Sequence, residues 1–346
     1  MIELQGLEEL EPALAERGFF AGDGAEIAEV YLGYRLSEPL RRTPMPAPPE
    51  PCPLPSLAFR IRRADEAPSH IGRFAIGDWE PTWEPADYMQ AIEDVRAAIA
   101  RGDVYQVNLV QHLSAPFDGD PAGIAAALAR FRPREGRPLF GEDWAIVSAS
   151  PELLFRRRGR RVWTKPIKGT RPLGAEGLED SEKDRAEHVM IVDLERNDLS
   201  RVCEPGTVHW PDLLAGRDLA GVSHLVTTVE GRLREDVTLT DLLAAVFPGG
   251  SVTGAPKISA LDHIAALEPV GRGASMGAIG RIRPNGDLDL ALTIRTFAVA
   301  EGRIHLWVGG GIVWDSDPEA EVEESWVKAR PLLAALGAPV HEPAVR

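Results

Sequence analysis

The sequence predicts a chain that mixes α-helices with β-strands and joins some of the strands as hairpins. Tyr88, Ile92, Val95 and Ile99 recur at helical spacing behind Pro85-Ala86-Asp87. Leu288 to Val299 alternates as a strand does, and Ile304 to Val308 pairs with it across Gly302. A second hairpin is expected where Leu153-Leu154-Phe155 and Arg161-Val162-Trp163 flank Arg156-Arg157-Arg158-Gly159-Arg160. Its arginine-rich turn is either a solvated turn or a docking patch for an acidic partner.

At 346 residues the chain suits one large domain or two modest ones, and 44% hydrophobic content can fill a sizeable core. A net charge of −15 argues against general binding to nucleic acid or an anionic membrane, which needs a basic face. No apolar run approaches the roughly eighteen residues of a membrane span. Met1-Ile2-Glu3-Leu4 carries acid where a signal peptide has basic residues. Cys52 and Cys203 form no CxxC pattern, so a disulfide scaffold is not expected and a reduced cytoplasm is.

In chain order, Leu7, Leu10 and Leu14 mark a short helix, and Val30-Tyr31-Leu32 a strand. The prolines of residues 38–55 predict a surface connector. Leu57 to Ile61 alternates as a strand, and the Pro85 helix ends at Gly102-Asp103. Val104 to Val110 follows as a half-buried strand, with Gln106 and Asn108 on one face, either solvent-facing or part of a site. A helix is expected over Pro121 to Arg130 and a strand over Trp144 to Ser148, ended by Ser150-Pro151-Glu152. Ser181 to Leu199 is a helix capped by Ser181 and Asp184, with Met190, Ile191 and Leu194 inward and Arg196-Asn197-Asp198 as a charged exit. Gly221 to Val229 is a strand that contains His224, and Leu239 to Val246 is a helix.

Phe247 to Lys257 is a glycine-rich loop opening a helix, with Pro256 in its first turn. Free N–H groups there suit a carboxylate or phosphate, although the Gly-Lys-Ser/Thr of a P-loop is missing. Arg295 stands among apolar and β-branched neighbours and calls for an anionic partner. Gly309-Gly310-Gly311 lets backbone approach a ligand. On the helix Pro318 to Leu336, Glu321, Glu324 and Lys328 share one face, as a solvated stripe or as part of a site. Lys168, in Pro166-Ile167-Lys168-Gly169-Thr170, sits at a strand end as either a solvated edge lysine or an amine nucleophile. Together, Lys168, His224, Arg295, Lys328, the glycine-rich loops and the glutamates describe a site for a small dianion with a hard cation.

Several stretches resemble the chorismate-utilising enzymes, a family that includes anthranilate synthase large subunits, aminodeoxychorismate synthase component I, and isochorismate and salicylate synthases. They are Gly102 to Leu109, Ser150-Pro151-Glu152, Lys168-Gly169-Thr170, Glu187 to Asp198, His224-Leu225, Gly249 to Lys257, Thr293 to Thr296 and Gly309 to Lys328. The resemblance covers about residues 85–336. It implies an α+β fold of two packed, mainly antiparallel sheets with outer helices. Residues 1–75 are expected as a short N-terminal segment of the same fold, with the connector at 38–55, and residues 76–340 as the chorismate-binding catalytic domain.

The resemblance further implies that Glu187 and Glu324 hold Mg²⁺ against the ring carboxylate of chorismate. Arg295 and the backbone at Gly311 hold the enolpyruvyl carboxylate, and Thr170, His224, Ser251 and Lys328 line the pocket. Glu152 is the implied general acid and base. Two positions separate the reactions within the family. Lys168 matches the lysine nucleophile of the aminodeoxychorismate synthases, where the anthranilate enzymes have alanine. Gln106 stands where the water-using enzymes carry a lysine base, and glutamine cannot act as that base. Both point to aminodeoxychorismate synthase component I, serving para-aminobenzoate and folate synthesis. An anthranilate-type enzyme or a non-catalytic chorismate-binding protein are the alternatives. Ser275 departs from the family's usual aromatic. No Leu-Leu-Glu-Ser stretch of the tryptophan-sensing kind occurs, so no tryptophan feedback is expected. Chorismate and ammonia are the expected substrates, the ammonia coming from a separate glutamine amidotransferase subunit.

Overall fold

The computed structural model describes residues 1–22, 24–66, 72–172, 182–219 and 222–337, with side chains at all of these except 168–172, 182–184, 217–219 and 222–224. The first third of the chain forms β1 (Ile2–Leu4), α1 (Leu10–Glu16), β2 (Glu26–Leu32), β3 (Leu57–Arg63), β4 (Phe74–Ile76), β5 (Glu80–Pro81), α2 (Pro85–Arg101) and β6 (Gln106–Gly119). Next come α3 (Ala122–Leu128), β7 (Leu139–Phe140), β8 (Trp144–Ser148), β9 (Leu153–Arg158), β10 (Arg161–Lys165), β11 (Ile167–Pro172), α4 (Glu182–Ser200), β12 (His209–Leu219) and β13 (Val222–Arg232). The last third holds α5 (Leu239–Val246), β14 (Gly254–Ala255), α6 (Lys257–Leu267), β15 (Ala278–Ile282), β16 (Leu288–Leu292), β17 (Thr296–Ala300), β18 (Arg303–Ile312) and α7 (Pro318–Ala335).

Among the described residues the strands form two antiparallel sheets. The larger runs β1-β3-β2-β15-β16-β9-β10-β13-β11, with β12 on β13; the smaller runs β14-β6-β18-β17-β8-β7, with β4 and β5 on β6. This is the α+β architecture that the resemblance implied. Side chains from both sheets share one buried core, including Tyr31, Phe59 and Phe155 from the larger and Leu113, Phe297 and Trp307 from the smaller. Each large apolar side chain buried there contributes about 1.5–3 kcal/mol. Helices α2 and α7 pack on each other and on β6 and β18, while α4 packs on β13 and α5. No helix among the described residues is long and apolar enough to cross a membrane.

Several expectations need correction. Leu288 to Val299 is not one strand. It is β16 in the larger sheet and β17 in the smaller, broken at Arg295, whose φ is 50°. The apolar alternation runs on through the break because residues on both sides are buried. Gln106 and Asn108 do not face solvent, since β6 is covered on both faces from residue 106 to 113. The arginines 156–158 belong to β9 rather than to a turn, and Arg156 pairs with Asp289 on the neighbouring β16. The proline-rich stretch is only partly a surface connector. Its start is a 3-10 helix over Tyr34–Leu40, Cys52 is buried, and the Glu50 carboxylate accepts a 2.9 Å bond from the Gly273 N–H. Pro256 is the N-cap of α6 rather than a first-turn residue. Ser181, the expected cap of α4, lies outside the described residues, and the Asp184 side chain does too.

Candidate active site

The chain changes sheets twice at one place. Residues 149–152 lead from β8 in the smaller sheet to β9 in the larger, and residues 293–295 lead back from β16 to β17. The two crossovers are hydrogen-bonded side by side. Ala149 N–H donates to Arg295 O at 2.9 Å, Leu292 N–H donates to Glu152 O at 3.1 Å, and the Ser148 and Thr296 hydroxyls meet at 2.8 Å. This juxtaposition sets two predicted site residues, Glu152 and Arg295, on paired backbone.

Ser251 joins them from the glycine-rich loop. Its Oγ donates to Glu152 Oε1 at 3.0 Å, and both side chains are buried. Arg295 lies within electrostatic reach of Glu152. Burial pulls the guanidinium below its ordinary value, and the charge of Glu152 opposes that shift. No ion pair to Arg295 occurs among the described residues. A mostly buried cation beside a hydrogen-bonded carboxyl is a suitable receptor for an anionic ligand.

Hydrogen bonds hold the loop at Gly249, Val252 and Thr253. The Thr253 hydroxyl donates to Gly249 O at 2.8 Å, Arg272 Nη1 donates to Val252 O at 2.8 Å, and Asn108 N–H donates to Thr253 O at 2.9 Å. On the far side of β6 the glycines of β18 make room for side chains. A methyl group at Gly311 would lie 2.1 Å from Gln106 Nε2, so only glycine allows Gln106 its position. Gln106 Oε1 and Nε2, Asn108 Oδ1 and Thr293 Oγ1 are buried without a hydrogen bond. Such orphaned groups near a receptor are suited to a polar ligand or to ordered water.

At Gly310 the strand faces α7. A methyl group there would lie 3.3 Å from Glu321 Oε2 and 3.4 Å from both Glu324 Oε1 and Lys328 Nζ. Lys328 Nζ bonds Gly309 O at 2.7 Å and Glu324 Oε1 at 2.7 Å. Glu321 is buried and accepts from Ser316 Oγ at 2.7 Å. The stripe of α7 is therefore only half solvated. Among the described residues no group of three or more His, Cys, Asp or Glu is placed to hold a metal. Of the two carboxylates beside this space Glu324 is the expected metal ligand, and one or two such carboxylates are what Mg²⁺ takes while it keeps its waters.

Glu187 is half-buried on α4, and its neighbour His188 is buried with Nε2 2.6 Å from the Thr227 hydroxyl of β13. Lys168 and His224 have backbone positions only: Lys168 is within β11 opposite Leu225, and His224 is opposite Arg217 of β12. Lys168 thus lies inside a further strand rather than at the end of β10. The side chains of Lys168, Thr170 and His224 lie outside the described residues.

A second acid group was missed from the sequence. Glu195 on α4 is buried, and burial pushes its carboxyl up to about 8. Asp198 and Glu152 push in the same direction, while Lys257 and the Gly250 N–H oppose them. Asp198, expected as part of a charged exit, is buried and bonded to Lys257 Nζ at 2.5 Å. Spacing carried the signal: Ile191, Glu195 and Asp198 lie at i, i+4 and i+7, on the inward stripe.

Residues 50–334 match the family described as chorismate binding enzyme. Anthranilate synthase component 1 of Thermus thermophilus is 45% identical over 262 residues, which are 72% of this chain and 56% of that protein. Aminodeoxychorismate synthase component 1 of Salmonella typhimurium is 39% identical over 288 residues, 80% of this chain and 63% of that protein. The chain thus spans less than two thirds of the length of both relatives. The crystal structure of anthranilate synthase component I from Streptococcus pneumoniae TIGR4 superposes with a TM-score of 0.78 at 28% identity, covering 90% of this chain and 81% of that one. With the matched residues taking in both crossovers, the glycine-rich loop and α7, the chain belongs to the chorismate binding enzyme family.

Proposed function

We propose that the chain is the chorismate-aminating component of an aminodeoxychorismate synthase, and that it makes 4-amino-4-deoxychorismate. The observation that carries this reading is the Glu152–Ser251 pair beside Arg295 at the joined crossovers. A carboxyl there is held by a hydroxyl in a place largely closed to water, next to a cation able to take a substrate carboxylate. Lys168 and Gln106 choose the reaction. Gln106 is fully buried and offers no base to activate water.

Arg295 and the backbone at Gly311 would orient the enolpyruvyl carboxylate. Thr170, His224 and Lys328 would border the ring. Glu187 and Glu324 would hold Mg²⁺, which when bound supplies positive potential to the ring carboxylate. The neutral Lys168 amine forms a bond to C2 while the C4–O bond breaks, and Glu152 gives its proton to the departing hydroxyl, so water leaves. The new secondary ammonium returns a proton to Glu152. Ammonia then bonds C4 as the C2–lysine bond breaks, Glu152 gives its proton to the departing Lys168 nitrogen, and the new C4 ammonium returns a proton to Glu152. The name component 1 borne by relatives supports an ammonia-supplying partner, which we take to be a glutamine amidotransferase subunit.

A second reading, amination at C2 to give anthranilate, is favoured by the 45% identical relative of that name. Incubation of the purified chain with chorismate, Mg²⁺ and ammonium, with products resolved by mass and retention, separates the two. The expected product is 4-amino-4-deoxychorismate, and glutamine alone should not replace ammonium. Lys168→Ala should retain chorismate affinity and lose at least about 100-fold of C4 amination. Wild-type C4 amination by that variant would rule out the lysine adduct.

A further inference from the structure

We propose that Glu195 is a positioning residue for Glu152: from the core side it pins the Gly250–Ser251 backbone that presents the Ser251 hydroxyl to the Glu152 carboxyl. The proposal rests on the reading of Glu152 as the acid and base of the reaction.

Three contacts make the chain of influence. The Glu195 carboxyl lies against the Gly250 peptide, whose N–H favours its charged form. A methyl group at Gly250 would lie 3.3 Å from Glu195 Oε1 and 2.5 Å from Leu194 Cδ2, so α4 and the loop are as close as glycine permits. The next residue, Ser251, bonds Glu152 Oε1 at 3.0 Å. Glu195 therefore reaches Glu152 through one peptide unit and one hydroxyl.

Stability alone does not call for a carboxyl here. An apolar side chain of similar size would fill the same space without the penalty of burying an acid. Two acids, Glu195 and Asp198, share one bonded cation, Lys257, which pairs with Asp198, while exposed Arg201 acts on Asp198 from further off. The surplus acid keeps its proton near neutrality, and burial is the main cause. A neutral Glu195 accepts the Gly250 N–H through its carbonyl oxygen and sets no second negative charge behind Glu152. Glu152 then exchanges its own proton without repulsion from the rear.

Steady-state turnover of chorismate with ammonium tests this, since it depends on Glu152 acting and not on which carbon is aminated. Glu195→Leu removes the acceptor, and Glu195→Asp withdraws it by one methylene if the leucine variant does not fold. Either should lower kcat about 10–100-fold with KM for chorismate within about 3-fold. Glu195→Gln, which keeps the carbonyl oxygen, should return kcat to within about 3-fold of wild type. Combining Glu195→Leu or Glu195→Asp with Ser251→Ala should lower kcat no further than Ser251→Ala alone, because both act through one hydroxyl. Wild-type kcat in both the Leu and Asp variants overturns the proposal. So does a product of independent losses in the double variant, or a glutamine variant as slow as the leucine one. Glu152→Gln serves as the control. If it keeps wild-type turnover, the reading of Glu152 fails; if it is inactive while the Glu195 variants are unaffected, only the present proposal fails.

Discussion

The loop 249–253 is held between two buried ionic groups that look alike and are built differently. On one side Glu268 and Arg272 form a closed pair. Arg272 Nε and Nη2 donate to the two Glu268 oxygens at 2.9 and 2.7 Å, and its remaining donors reach Val252 O and Asn108 O. Glu268 also accepts from the Val110 N–H at 3.1 Å. Charge and hydrogen-bonding capacity are matched, as a buried pair requires. On the other side Glu195 and Asp198 are two acids with one bonded cation, Lys257, and only the more distant charge of exposed Arg201 besides. The closed pair fixes the backbone at one protonation state. The unbalanced cluster keeps a proton inside the protein, next to the carboxyl proposed to do the chemistry. Matched burial belongs to the scaffold, and mismatched burial belongs to the site.

The largest expected effect comes from breaking the closed side. Arg272→Met leaves Glu268 uncompensated and removes donors from two carbonyls, and it should cost about 3–5 kcal/mol, seen as a lower denaturant midpoint. A loss below about 1 kcal/mol would mean that the pair is not the clamp described here.

A smaller loss is expected on the open side. Lys257→Met removes the cation from Asp198, but that carboxyl, already raised by burial, can neutralise itself by taking a proton. The expected cost is about 1–3 kcal/mol at neutral pH, shrinking as pH falls. A loss that is independent of pH between 5 and 8 would contradict this.

The smallest effect at any single pH step is a slope. In the folded chain Glu195 titrates at about 8, against an ordinary 4.5. Between those values the unfolded chain has released this proton and the folded chain keeps it. The unfolded state binds fewer protons, so this group makes stability fall as pH rises from about 4.5 to about 8. The limit is about 1.4 kcal/mol per pH unit. Glu195→Gln removes the contribution and leaves Asp198, Lys257 and Glu152 facing the position. The melting temperature of the variant should gain on wild type steadily from pH 5 to 8. A constant gap would assign the titration to another group.

Much of this was legible in the sequence where one local rule acts alone. Helix α2 has its proline start, its apolar spacing and Gly102 at φ 82° as a stop. The Glu152, Ser251 and Arg295 assignments came from motif resemblance, and the fold sets the first two in contact with the third nearby. What could not be read depends on partners distant in the chain. The break at Arg295 is hidden because β16 and β17 are both apolar and each is buried in a different sheet. β12 carries Pro211 and exposed Trp210 and Leu213, so it lacks the pattern of a strand and exists by pairing with β13. The inward spacing of Glu195 and Asp198 was visible, but acids on a helix are ordinarily solvated, and it takes Lys257, 59 residues from Asp198, to show the partner that makes burial possible.

The pairing of β2 with β15 bears on how the protein is made. The β2–β3 hairpin leaves the ribosome well before β15, since synthesis runs from the N-terminus. Among the described residues the other edge of β2 is closed by Ala278–Ile282, more than two hundred residues later in the sequence. Until then that edge offers unpaired backbone of an apolar strand to any neighbouring nascent chain. The crossover at 149–152 has to wait longer still, for residues 293–295. Synthesis therefore passes through an interval in which this sheet edge is open and the two crossovers have not yet met.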